Sequence, residues 1–143
     1  MGILEDAAEG ARQAVEAMKA ASQASDDTTV NTVLSLLSAQ EEEVVRYRYG
    51  LGREHLKTFR QIGEAMGLSA QRVGQIEHKA RRRLSWFVRC VGPIGSPAFA
   101  RYSSETLARR AEIERLRRER IEQEAATKAR RRAEKAERDE VRR

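Results

Sequence analysis

The chain carries one cysteine, Cys90, and two prolines in 143 residues. A lone cysteine rules out an internal disulfide and suits a reducing compartment. Aromatic residues make up only 5% of the chain. No apolar run reaches the ~18 residues that a membrane span needs. The opening MGILEDAAEG has neither the basic nor the apolar region of a secretion signal. It begins Met-Gly, but acidic residues follow and position 6 is neither Ser nor Thr, which is unlike a lipidation signal. A cytoplasmic protein with no membrane partner is expected. His55 and His78 have no second His or Cys at ligand spacing, so neither a metal site nor a cofactor is expected. Carboxylates are many, but none is paired in an apolar setting, so no catalytic residue and no enzyme is expected.

What the chain has in excess is charge. Lys+Arg number 28 against 22 Asp+Glu, a net +6 with a pI near 10.0. Such an excess points weakly to a polyanionic partner, because many of these charges must simply face water.

The composition divides the chain into four expected segments, 1–29, 30–90, 91–104 and 105–143. In the first, Leu4, Ala8, Ala11, Val15 and Met18 fall near helical spacing, a weakly amphipathic helix closed by the polar break SDDTT at 25–29. Residues 30–88 hold most large apolar side chains and are expected to contain the core. Residues 91–104 contain both prolines and read as a linker or turn. Residues 105–143 lack Gly and Pro and read as one charged helix. The expected class is all-α.

The second segment is punctuated by helix starts and stops. Ser38 with Glu41, and Thr58 with Gln61, are capping boxes, while Gly50 and Gly67 suit left-handed C-caps. Ser69 caps a third helix that runs to about Trp86. Within TFRQIGEAMGLSAQRVGQIEHKARRRL, Ile62 and Met66 share a face, Gly63 permits close approach, and Leu68 fills the corner. Val73, Ile76, Ala80 and Leu84 form the next buried stripe. Two helices joined by a three-residue turn containing glycine make a helix-turn-helix. The opposite face carries Ser69, Ala70, Gln71, Arg72, Gly74, Gln75, His78, Lys79 and Arg82. In such a motif the N-terminal residues of the second helix meet base edges in the major groove. The amides of Gln71 or Gln75 suit adenine, and Arg72, Lys79, Arg81, Arg82 or Arg83 suit phosphates. The competing reading is a solvated face of a small three-helix bundle.

These residues resemble region 4 of the sigma-70 family of bacterial sigma factors. The resemblance covers LSLLSAQEEEVVRYRYGLG at 34–52 and the helix-turn-helix at 57–84. It implies that the helix-turn-helix reads a promoter −35 element in double-stranded DNA. It also implies that the first half holds the flap-tip helix of the RNA polymerase β subunit in an apolar groove. Val44, Val45, Tyr49, Leu51 and Ile62 become candidates for core and groove wall, two roles that position alone leaves unseparated. Housekeeping members usually have Arg-Glu after the capping residue and Arg before the Gln. Here those positions are Ala70, Gln71 and Gly74, so a different DNA target is expected. Gly74 inside a helix costs roughly 0.5–1 kcal/mol against Ala, which close approach to DNA or protein would explain. No segment resembles region 2, so a separate region 2-type subunit is a further possible partner.

In 105–143 there are 14 Arg/Lys and 10 Asp/Glu, and the apolar residues keep no strict heptad. A solvated helix, a docking or dimerising helix, and direct nucleic-acid contact by Arg130–Arg132 are the three readings. Cys90 is expected to be half-buried, and Trp86 with Phe87 to cap the core. Three functions therefore stand open. One is a DNA-binding regulator associated with RNA polymerase. Another is a polymerase-independent DNA-binding module, such as a repressor or phage terminase small subunit. The third is a flap-binding inhibitor that does not read DNA.

Overall fold

The computed structural model describes residues 3–24 and 26–143, with side chains from Ala8 onward. Leu4 of the expected amphipathic helix and Ser25 of the polar break therefore lie outside the described side chains. Six α-helices follow in order: α1 Ile3–Gln23, α2 Asp27–Ser35, α3 Ala39–Tyr49, α4 Phe59–Met66, α5 Ala70–Trp86 and α6 Pro97–Val141. A π-helical turn, Phe87–Val91, continues α5. No strand occurs among the described residues, so the class is all-α. The chain forms two compact units, one up to Thr106 and one from Leu107 to Arg143.

Local chemistry explains most helix ends. The Ser38 hydroxyl accepts from the Glu41 N–H at 3.2 Å, and the Glu41 carboxylate accepts from the Ser38 N–H at 3.2 Å. Thr58 and Gln61 repeat the exchange at 3.1 Å in each direction. These reciprocal bonds satisfy donors that a helix start otherwise leaves unpaired. Gly50 (φ 67°) and Gly67 (φ 73°) close α3 and α4 in the left-handed region, where a side chain would be strained. The Ser69 hydroxyl accepts from the Arg72 N–H at 3.1 Å and starts α5.

Helix α2 begins inside the segment expected to be a polar break. The Asp26 carboxylate accepts from the Thr29 hydroxyl at 2.6 Å and from the Thr29 N–H at 3.2 Å. Those two bonds hold its carboxyl below the usual range. Val30, Val33 and Leu34 then turn inward at helical spacing.

The helix-turn-helix core consists of Val44, Ile62, Val73 and Ile76, ringed by Tyr47, Leu56, Phe59, Met66 and Leu68. A second layer corrects the expectation that the core lies in 30–88. Ala11, Ala14, Val15 and Met18 of α1 are all buried, and α1 packs mainly on α5 and α2. Small residues let α1 and α5 approach closely: a Cβ on Gly10 would stand 2.7 Å from the Ser85 hydroxyl and 3.2 Å from Ser85 Cα. Burying a side chain of Met18's size contributes about 1.5–3 kcal/mol, so α1 is part of the folded unit's stability.

Three further expectations change. The linker is shorter than 91–104, because α6 starts at Pro97, with the Ser96 hydroxyl accepting from the Phe99 N–H at 3.2 Å. Proline at the first helical position is pre-set for a helix. Trp86 does not cap the core. It is 44% exposed, and Phe87 takes the buried place, meeting Phe99 and Tyr102 at ring separations of 6.3 and 6.0 Å. Cys90 is exposed rather than half-buried, since the π-helical turn carries it to the outer side.

Candidate nucleic-acid interface

Helix α5 has two sharply different sides. Val73, Ile76, Ala80 and Leu84 point into the domain together with Glu77 and Ser85. Gln71, Gln75, His78 and Arg82 step by four, three and four residues along the outer side, and all are exposed. Ser69, Ala70, Arg72 and Lys79 are exposed beside them. The structure thus brings eight of the nine expected DNA-facing residues onto one open surface.

The ninth, Gly74, is half-buried, and its use lies inside the domain. A Cβ there would stand 3.4 Å from two ring carbons of Phe59. Phe59 belongs to α4, and its other partner is Arg48 of α3, whose guanidinium lies 4.8 Å from the ring centre. The Arg48 guanidinium also donates to the Lys57 carbonyl. One aromatic ring therefore ties together the loop before α4, the first helix of the motif and the second. No local signal in the sequence points to this. The glycine stands out in its helix, but its neighbour belongs to the preceding helix and meets it only on folding.

The turn itself is fixed by backbone contact. The Leu68 N–H donates to the Gly63 carbonyl at 2.8 Å, and a Cβ on Gly63 would come within 2.4 Å of the Leu68 carbonyl oxygen. Only glycine fits there without moving the turn. The angle between α4 and α5 follows from that contact, and so does the presentation of α5's outer side.

Charge on α5 is arranged toward its second half. Arg81 pairs with buried Glu77 at 3.7 Å, and Arg83 reaches buried Glu41 at 3.4 Å. Lys79 and Arg82 make no such pair and remain available to phosphates. The Arg72 guanidinium donates to the Gln75 amide oxygen at 3.4 Å, a long bond that holds the two side chains in one row. On the inner side, the Tyr49 hydroxyl donates to Glu77 at 3.1 Å. Burial first, and the adjacent Glu77 carboxylate second, push the Tyr49 hydroxyl up to about 12.

The residues the resemblance assigned to a polymerase groove are mostly interior. Val44, Val45 and Ile62 are fully buried, and Leu51 nearly so. Tyr49 is half-buried and engaged by Glu77, with the Lys19 ammonium 5.7 Å above its ring. The apolar surface left at the edge of this core belongs to the half-buried Tyr47, Leu56, Phe59, Met66 and Leu68. A cleft of about 230 Å3 lies between α1 and the Tyr49–Arg81 side. The cations on its wall are balanced by neighbours on their own helices, Arg12 by Glu9 at 3.3 Å and Lys19 by Glu16 at 3.9 Å. Among the described residues no cluster of His, Cys, Asp or Glu could hold a metal ion, and no helix is long and apolar enough to cross a membrane.

Comparison with known proteins places this geometry. Residues 33–85 match the family described as Sigma-70, region 4. The RNA polymerase sigma factor sigB of Arabidopsis thaliana is 44% identical over 55 residues, which is 38% of this chain and 10% of that protein. The RNA polymerase sigma factor SigA1 of Synechococcus elongatus is 46% identical over 52 residues, 36% of this chain and 13% of that protein. SigA of Microcystis aeruginosa is 42% identical over 55 residues, again 13% of its length. The chain thus spans about a tenth of the length of the curated relatives it matches. No solved structure matches it. The match to sigma-70 region 4 is confined to residues 33–85, and α1 and the whole of α6 lie outside it.

Proposed function

We propose that the protein is a DNA-binding transcription regulator that works with bacterial RNA polymerase through its region 4 domain. The observation that carries this reading is the open row Gln71–Gln75–His78–Arg82 on the second helix of a helix-turn-helix. The row is amide-bearing at its start and cationic at its end, and its side chains are exposed throughout. Amides near the start of the helix suit adenine edges, and the cations beyond them suit phosphates. Ala70, Gln71 and Gly74 stand where Arg-Glu and Arg are usual, so the preferred site differs from the common −35 sequence.

Docking on the polymerase β flap belongs to the same proposal. Since Val44, Val45, Leu51 and Ile62 are closed off, the flap helix would be met by the half-buried rim of Tyr47, Leu56 and Met66.

Selection of bound duplexes from a random pool tests the DNA half. A recovered consensus is expected, and Gln75→Ala should relax one position of it by about 1–3 kcal/mol of discrimination. Recovery of no consensus would overturn it. Pull-down with core polymerase, with and without the flap tip, tests the other half. Binding that disappears with the flap tip supports docking there. Undiminished binding would move the contact to the added helices.

A further inference from the structure

The second unit, Leu107–Arg143, is a single helix whose charges are sorted by side. Arg117, Lys128, Arg131, Lys135, Arg138 and Arg142 follow one another by steps of eleven, three, four, three and four residues. Each of these steps returns to nearly the same side of an α-helix. All six side chains are exposed, and none forms an ion pair. The ion pairs of this helix use other arginines: Arg115 with Glu112 and Glu119, Arg118 with Glu114, Arg120 with Glu124, and Arg130 with Glu134. Of the acidic residues, Glu124 falls in the middle of the row, and Arg120 holds it at 3.1 Å. Glu114, Glu134 and Asp139 fall along its two edges, where Arg118 holds Glu114 at 2.8 Å and Arg130 holds Glu134 at 3.1 Å. Glu112, Glu119, Glu122, Glu137 and Glu140 lie toward the other side. At 1.5 Å per residue the row runs about 38 Å.

We propose that this row is a phosphate-contacting surface that adds sequence-independent affinity for duplex DNA. Six unpaired cations on one side of a rigid rod match a polyanion with one negative charge per about 1.7 Å of its axis. The side carries no apolar seam that a second helix would need. Ile113, Leu116, Ile121 and Val141, the large apolar residues exposed on this unit, are separated by three, five and twenty residues and form no continuous stripe. Duplex DNA is chosen as the polyanion because of the α5 reading, and the proposal rests on that reading to this extent alone.

The test uses the full chain and a random-sequence 30-base-pair duplex, with affinity followed by fluorescence anisotropy from about 50 to 300 mM salt. One variant carries R117Q, K128Q, R131Q, K135Q and R138Q. Glutamine keeps helix propensity, and circular dichroism checks that the helix persists. The slope of log affinity against log salt should fall by about 0.9 for each phosphate that the variant no longer neutralises, with at least tenfold weaker binding at the lowest salt. A second variant, K135E/E137K/R138E/E140R, keeps composition and net charge but moves two cations to the opposite side. It should also bind more weakly. Unchanged slope and affinity in the first variant would overturn the proposal. Wild-type binding by the second would overturn the ordered row and leave net charge alone. Tighter competition by a single-stranded RNA of equal length, or loss of a dimer in sedimentation by the first variant, would reassign the row to RNA or to a second copy. Failure of the α5 reading shows separately, as equal affinity for selected and random duplexes in the wild type.

Discussion

Helix α1 and the helix of Leu107–Arg143 are built from nearly the same letters, Ala, Glu, Lys, Arg and Gln, yet one is part of a core and the other buries nothing. The difference lies in placement. In α1 the small and apolar residues Gly10, Ala11, Ala14, Val15 and Met18 recur by one, three, one and three residues, which makes a continuous strip. In the second unit Ala125, Ala129, Ala133 and Ala136 also recur by four, four and three residues, but of its exposed large apolar side chains only Ile121 stands in line with them, and it is 65% exposed. Composition alone therefore says little about whether a helix docks. A strip of small residues ending in one Met is enough, provided the facing helix offers a matching gap such as that at Ser85.

This contrast can be broken most severely at Met18. Met18→Ala should cost about 2–5 kcal/mol in urea unfolding, since the side chain is fully buried and leaves a cavity. Leu116→Ala, at a half-exposed position of the second unit, should stay within about 0.5 kcal/mol. Equal effects would mean that α1 is not docked as described.

Gly10→Ala tests the close crossing itself. Its Cβ would meet Ser85 backbone as well as the hydroxyl, and overpacking of this kind costs about 1–3 kcal/mol, against a propensity gain near 1. A net loss of about 1 kcal/mol is expected, partly restored by Ser85→Ala. A gain in stability would show that the helices have room to spare.

A pH series sharpens the contrast through Tyr49, the last residue of α3, which sits between Glu77 of α5 and Lys19 of α1. Its folded value, about 12, lies above the ordinary value of 10. As pH rises past 10 the unfolded chain loses this proton first, so stability is fully present below pH 10 and declines toward pH 12. Tyr49→Phe should flatten that decline, measured by urea midpoints across the window. The smallest effect is expected from Arg115→Gln. It removes exposed ion pairs to Glu112 and Glu119 and should leave the thermal midpoint of the first unit unchanged, while amides near position 115 exchange somewhat faster with solvent.

Local chemistry is the part of this fold that is legible in the sequence. Ser38, Thr58 and Ser69 announce helix starts through bonds to residues three places on, and Gly50 and Gly67 announce ends, so α3, α4 and α5 can be placed directly. The outer row of α5 follows from spacing. Asp26 is also a cap, but a run of polar residues around it hides the start of α2. Ser96-Pro97 is a helix start that looks like a linker, because proline and glycine precede it. Contacts between distant segments leave no trace of this kind. The docking of α1, the exposure of Trp86 and the ring beneath Gly74 depend on which helices meet. The polymerase candidates show the same limit, since apolar residues at core spacing and at groove spacing look alike until burial is known.

The ring beneath Gly74 bears on how such a domain changes its DNA preference over time. Alanine fits at position 74 against Phe59, but any longer side chain begins in contact with that ring and takes its direction from it. The same ring faces the Arg48 guanidinium. Positions 48, 59 and 74 are therefore expected to be epistatic. An arginine introduced at 74 would leave the helix along the Phe59 ring, so its direction depends on what stands at 59, and a smaller residue there gives up the stacking on Arg48. Under the DNA-reading role proposed above, the order of substitutions at 48, 59 and 74, more than their number, would limit which DNA sequences the domain can be altered to read.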